Sequence, residues 1–145
     1  MSKKEFIIQT LKPYFLNPSI CGVDVKGDCQ YITPCGKKCA VGRYMVGGPW
    51  VETELNIEQL VDGSQGCEYT LEQMLTEEAN SAGLSPIEWG LIQQIHDTLA
   101  RIKNDYSDYQ FTFCKNRLSN LETEMNINLI ELHKLLDDML VVGND

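Results

Sequence analysis

The sequence predicts a mostly helical α+β protein: a small antiparallel β-hairpin or meander over about residues 20–46, packed on four or five helices, the last of them long. Three observations carry that expectation. Helix-start signals recur along the chain, strand-forming residues gather only in 20–46, and apolar residues beyond 108 repeat in heptad steps. With 145 residues the chain has the length of one ordinary domain, so 1–145 is read as a single domain. Residues 122–145 are read as a C-terminal helical extension used for association.

The elements follow in order. Ser2-Lys-Lys-Glu5 has the form of a capping box, in which a hydroxyl and a carboxylate satisfy free amides reciprocally. Phe6, Ile7 and Leu11 then make one apolar stripe, and Pro13 is expected to limit this first helix. Val23, Val25, Tyr31, Ile32, Val41 and Tyr44 are strand formers. Lys26-Gly27-Asp28 and Pro34-Cys35-Gly36-Lys37 supply the turns between them. A hairpin is marginal alone, so one face must lie on the helices. Gly47-Gly48-Pro49 is the strongest loop signal and reads as a turn within the domain.

Asn56 before Ile57-Glu58-Gln59-Leu60-Val61, with Gly63 after it, marks a short helix. Thr70-Leu-Glu-Gln73 is a second capping box, with Gly83 as the stop, and Ser85-Pro86-Ile87-Glu88 is a third. The helix it opens carries Leu91, Ile92, Ile95, Leu99 and Ile102 at helical spacing and belongs in the core. Ser107 with Gln110 opens the last helix. Its seam runs Phe111, Cys114, Leu118, Leu121, Met125, Asn128, Leu132, Leu135, Met139 and Val142. Uninterrupted from 108 to 141, it would be about 50 Å long, too long for a compact domain to bury alone. Either it breaks near Asn126-Ile127-Asn128, or Leu132, Leu135 and Met139 reach a partner, and a homodimer is the preferred expectation because Asn128 on the seam suits register control.

The net charge of −9 is unevenly placed. Residues 1–43 carry seven Lys/Arg and three acids, whereas residues 44–100 have ten acids and no Lys or Arg. Such a middle segment repels phosphate, which disfavours direct nucleic-acid binding. It reads as a solvated acidic face or as a surface, including Glu72, Glu77 and Glu78, that docks on a protein partner with a basic surface. No apolar run reaches the roughly 20 residues of a membrane span, and the N-terminus lacks the pattern of a signal peptide. The expected location is therefore the cytoplasm, with no membrane partner, and the six cysteines are expected to be thiols.

The cysteines of Cys29-Gln-Tyr-Ile-Thr-Pro-Cys35-Gly-Lys-Lys-Cys39 raise the question of a metal. Structural zinc draws four ligands from tight pairs, and Cys35-x3-Cys39 is the one close pair here. The preferred reading is no metal and no cofactor, the alternative a site made of Cys29, Cys35, Cys39 and Cys67. A Cys29–Cys39 disulfide fits a hairpin but not a reducing compartment. A catalytic thiol would need a neighbour such as His96, supported by Asp97, and buried unreactive thiols are preferred. No catalytic residue is assigned.

Gly27-Asp28-Cys29-Gln30-Tyr31, Gly36-Lys37-Lys38-Cys39-Ala40-Val41-Gly42 and Leu91-Ile92-Gln93-Gln94-Ile95-His96-Asp97 resemble stretches of a family of small uncharacterised phage and bacterial proteins. The similarity covers roughly residues 5–120. It implies that Cys29, Cys39, Gly42, His96 and Asp97 form the candidate functional cluster, at a contact between hairpin and helix. The expected function is a small acidic cytoplasmic binding or regulatory protein, phage- or prophage-encoded, that modulates a host macromolecule. The alternative is an enzyme, or a binder of a small ligand or metal, that uses the Cys/His/Asp cluster.

Overall fold

The computed structural model describes residues 2–21, 38–52, 55–63, 66, 68–104 and 107–143. Seven α-helices are found among them: α1 (Lys3–Leu16), α2 (Ile57–Asp62), α3 (Leu71–Met74), α4 (Glu77–Ser81), α5 (Pro86–Asn104), α6 (Asp108–Met125) and α7 (Ile130–Gly143). The helix starts lie where the capping signals put them. Asn56 with Gln59 and Thr70 with Gln73 close complete capping boxes. Ser85 and Glu88 do the same at the head of α5, through bonds of 2.8 and 3.1 Å. Ser2 and Ser107 accept from the amides of Glu5 and Gln110. Pro13 does not end α1, which runs three residues past it to Leu16. The carbonyl that its missing N–H leaves free belongs to Gln9, on the exposed side of the helix, where water can serve it.

The predicted β-hairpin is not seen, and the fold class is corrected accordingly: among the described residues the protein is helical, with no strand. Residues 22–37, which hold most of that expectation, lie outside the described residues. The described part of the segment forms no strand. Gly42–Tyr44 is a 3-10 turn, and the amides of Arg43, Tyr44 and Met45 bond the carbonyls of Cys39, Val41 and Gly42 just behind them. Those local bonds replace the ladder that a strand needs. Val41 and Tyr44 are strand formers in composition, yet here they are simply buried. One isolated antiparallel bridge, Met45 to Leu75, ties this segment to the end of α3.

The long C-terminal helix is corrected as well. It breaks at the segment singled out in the sequence: Asn126 adopts a left-handed conformation (φ 52°) and Asn128 caps Ile130 through its side chain at 2.8 Å. Helix α7 then packs against α1 and α6. Leu129, Leu132 and Leu136 enter the chain's own core, so the stripe that motivated a homodimer is largely used internally. The core centre is aromatic. Phe6 lies 5.2 Å from Tyr44 and 5.9 Å from Trp89 between ring centroids. No helix among the described residues is long and apolar enough to cross a membrane.

Candidate functional site

Gln93, His96 and Asp97 stand at i, i+3 and i+4 on α5, so the helix repeat puts all three on one face. That face meets Tyr14 from α1, Cys21 after the Pro18–Ile20 turn, and Cys39 at the start of the Gly42–Tyr44 turn. His96 is fully buried, and its Nδ1 lies 2.9 Å from Asp97 Oδ1. The Gln93 amide nitrogen donates to the same carboxylate oxygen at 2.9 Å. The Tyr14 ring meets the His96 ring edge-on at 5.0 Å, and its hydroxyl donates to the Lys38 carbonyl at 2.7 Å. The Cys21 thiol reaches the His96 carbonyl at 3.8 Å. Arg43 donates to the Thr10 carbonyl at 2.9 Å and lies over the Tyr44 ring, locking the turn to α1.

Cys39 is the centre of this arrangement. Its sulfur accepts the Gly42 N–H at 3.1 Å, which is why the turn closes over it. Burial pushes its thiol up to about 12, and the Asp97 charge adds to that; hydrogen bonds from Gly42, Val41 and Gln93 oppose the rise without cancelling it. The thiol is therefore protonated at neutral pH and a poor nucleophile. Cys114, on α6, is pushed up to about 12 by burial alone. Tyr14 is also raised, chiefly by burial, with Arg43 pulling the other way.

Of the cluster expected from sequence, Cys39, Gly42, His96 and Asp97 come together, and Cys29 lies outside the described residues. Gly42 contributes its backbone amide and is itself buried. Tyr14, Cys21 and Gln93 were missed as members. Gln93 sits inside the quoted Leu91–Asp97 stretch, and its spacing from His96 and Asp97 was the available signal. For the alternative metal site, Cys29, Cys35 and Cys67 lie outside the described residues. No group of three metal-ligating side chains is found among the described ones. Cys39 and Cys114 are free thiols. Among the described residues, the buried acceptor Gln93 Oε1 has no hydrogen-bond partner.

The expected partner-binding residues divide. Glu72 on α3 and Glu77 and Glu78 on α4 are exposed, and none joins an ion pair found among the described residues. Leu132 is wholly buried, so it is not available to a partner while α7 is docked; Leu135 and Met139 are partly buried against the same core. No protein-family model, curated protein or solved structure matches the chain.

Proposed function

We propose that this is a small acidic binding or regulatory protein that docks, in a reducing cytoplasm, on the basic surface of a macromolecular partner. The observation that carries the reading is the α3–α4 surface. Glu72, Glu77 and Glu78 are exposed there and join no ion pair found among the described residues, in a stretch of sequence that contains no Lys or Arg from 44 to 100. Unneutralised carboxylates on short helices cost solubility nothing and steer a cationic surface toward them over about 10 Å at 0.1 M salt. The protonated, enclosed Cys39 supports binding over thiol catalysis. The resemblance to phage and bacterial proteins supports a host macromolecule as the partner. Capture from native host lysate tests this, with the wild type against the combined Glu72→Gln, Glu77→Gln, Glu78→Gln variant. The expected result is a basic protein retained by the wild type, released by salt, and lost with the variant at unchanged circular dichroism. Equal capture by both would refute the reading.

A second reading rests on Gln93 Oε1. Among the described residues no donor meets this buried acceptor, which is uncommon, and a small molecule carrying an N–H or O–H group would complete it beside His96 and Asp97. Native mass spectrometry of the purified protein tests that reading; a bare mass after gentle desalting would argue against it.

A further inference from the structure

We infer that the acidic face anchors its partner through one lysine side chain, taken into a cavity between α1 and α4. This rests on the docking reading above and names the group that is recognised. The cavity measures about 200 Å³ and is lined by Phe6, Glu78, Ser81 and Ala82. The three α4-side residues follow from helix spacing: 78, 81 and 82 are i, i+3 and i+4, on one face. Phe6, itself nearly buried, and the Ala82 methyl are apolar, whereas Glu78 and Ser81 are exposed and carry oxygen acceptors.

A lysine side chain has the same division, four methylenes and then three N–H donors. Its stem fits the Phe6 and Ala82 walls while its ammonium meets the Glu78 carboxylate and the Ser81 hydroxyl. An uncharged apolar side chain would leave that carboxylate partly desolvated, and an acidic one would be repelled by Glu77 and Glu78. The neighbouring surface shows the same chemistry within the chain. Lys3, from the start of α1, passes the Gly83 backbone, where a methyl on Gly83 would lie 3.7 Å from its Cε. Its ammonium stands 3.7 Å from Glu88. The seam between α1 and the α4–α5 corner thus already lays one lysine stem along its surface toward a carboxylate, and the cavity offers a second lysine a comparable course.

The probe is a capped pentapeptide, Gly-Ser-Lys-Ser-Gly, titrated into ¹⁵N-labelled full-length protein. A second peptide replaces lysine by 2,3-diaminopropionate, which keeps the amine but removes three methylenes. Burying those three methylenes predicts roughly fiftyfold tighter binding of the lysine peptide. The shifted amides should centre on 78–82. The Ala82→Leu variant, which fills the cavity without changing charge, should erase the difference between the two peptides. Equal binding of both peptides to the wild type would overturn the cavity inference. If that equal binding is nonetheless abolished by the Glu72/Glu77/Glu78 to Gln variant, the acidic-face reading stands alone. Lysine-peptide shifts centred away from 78–82, or none, would also overturn the inference, and the lysate capture then judges the broader reading independently.

Discussion

Cys39 shows how a residue type acquires its role from a single contact. A thiol is a weak acceptor, yet here the sulfur holds the Gly42 amide at 3.1 Å in a site that water does not reach. Removing it leaves a buried N–H unsatisfied, and such a group costs about 1–3 kcal/mol. Cys39→Ala should therefore lose about that much stability in urea denaturation, and Cys39→Ser, which restores an oxygen acceptor, should recover part of it. Wild-type stability for the alanine variant would show that the turn closes without the sulfur. The same burial sets reactivity. With both thiols pushed up to about 12, Cys39 and Cys114 should resist iodoacetamide at pH 8 in the folded protein and react once it is denatured, as read by peptide mass spectrometry. His96, by contrast, is a reactive residue type, but the acid that meets it among the described residues is its neighbour on the same helix. The pair is most simply a core contact that orients the imidazole.

At the scale of an element, the α6–α7 corner depends on Glu122. One oxygen accepts the Leu129 amide at 2.8 Å, and the other meets His133 Nε2 at 2.7 Å. Glu122 thus caps the approach to α7 from the last turn of the preceding helix. Partial burial alone would raise its carboxyl; the Leu129 amide and His133, by hydrogen bond and charge, more than offset that, so the net direction is down. A carboxyl depressed in the folded state stabilises the fold above its unfolded titration, near about 4.3 for glutamate, and loses that contribution as pH falls through the lower folded value. Glu122→Gln should cost about 0.5–2 kcal/mol at pH 7, the range of a cap interaction. The gap to wild type should close as pH falls through the lowered folded titration of Glu122, beyond which both side chains are neutral. A gap that persists there in thermal melts would assign the loss to packing instead of charge.

For the whole molecule, α7 is what joins the two ends of the described chain. It lies on α1, with Lys12–Glu131 at 2.8 Å on the rim, and on α6, with Lys115–Asp137 at 3.0 Å, while its Leu132 and Leu136 and the preceding Leu129 are buried. Both ion pairs are solvent-exposed and worth little; the leucines carry the attachment. Leu132→Ala should cost about 2–5 kcal/mol, the range for truncating a buried leucine. Truncation after Glu124 should abolish cooperative unfolding, because α1 and α6 would lose the helix packed on both. A truncated protein with an intact melt would instead make α7 a dispensable appendage, and would return Leu132, Leu135 and Met139 to the role of a partner surface. With the helix docked, the exposed acids Glu72, Glu77 and Glu78 of α3 and α4 join no ion pair found among the described residues.

The helix starts at Ser2, Asn56, Thr70, Ser85 and Ser107 were legible in the sequence because a cap is local: a side-chain oxygen and an amide three residues on are enough to make it. The core stripe of α5 and the weak point at Asn126–Asn128 were legible for the same reason, since periodicity and left-handed propensity are properties of short windows. The conformation of 38–46 was not. Val41 and Tyr44 state only that they prefer burial, and whether an extended ladder or a 3-10 turn delivers it depends on which distant residues stand opposite. The direction taken after the α6 break was likewise open, because the heptad seam fits a second chain as well as it fits α1. The Cys39–Gln93–His96–Asp97 cluster lies between these cases. Its α5 half could be read from helix spacing, but Cys39 reaches it only through the packing of α1, the Gly42–Tyr44 turn and α5. That packing is a long-range choice made by apolar burial, and the tertiary structure alone decided it.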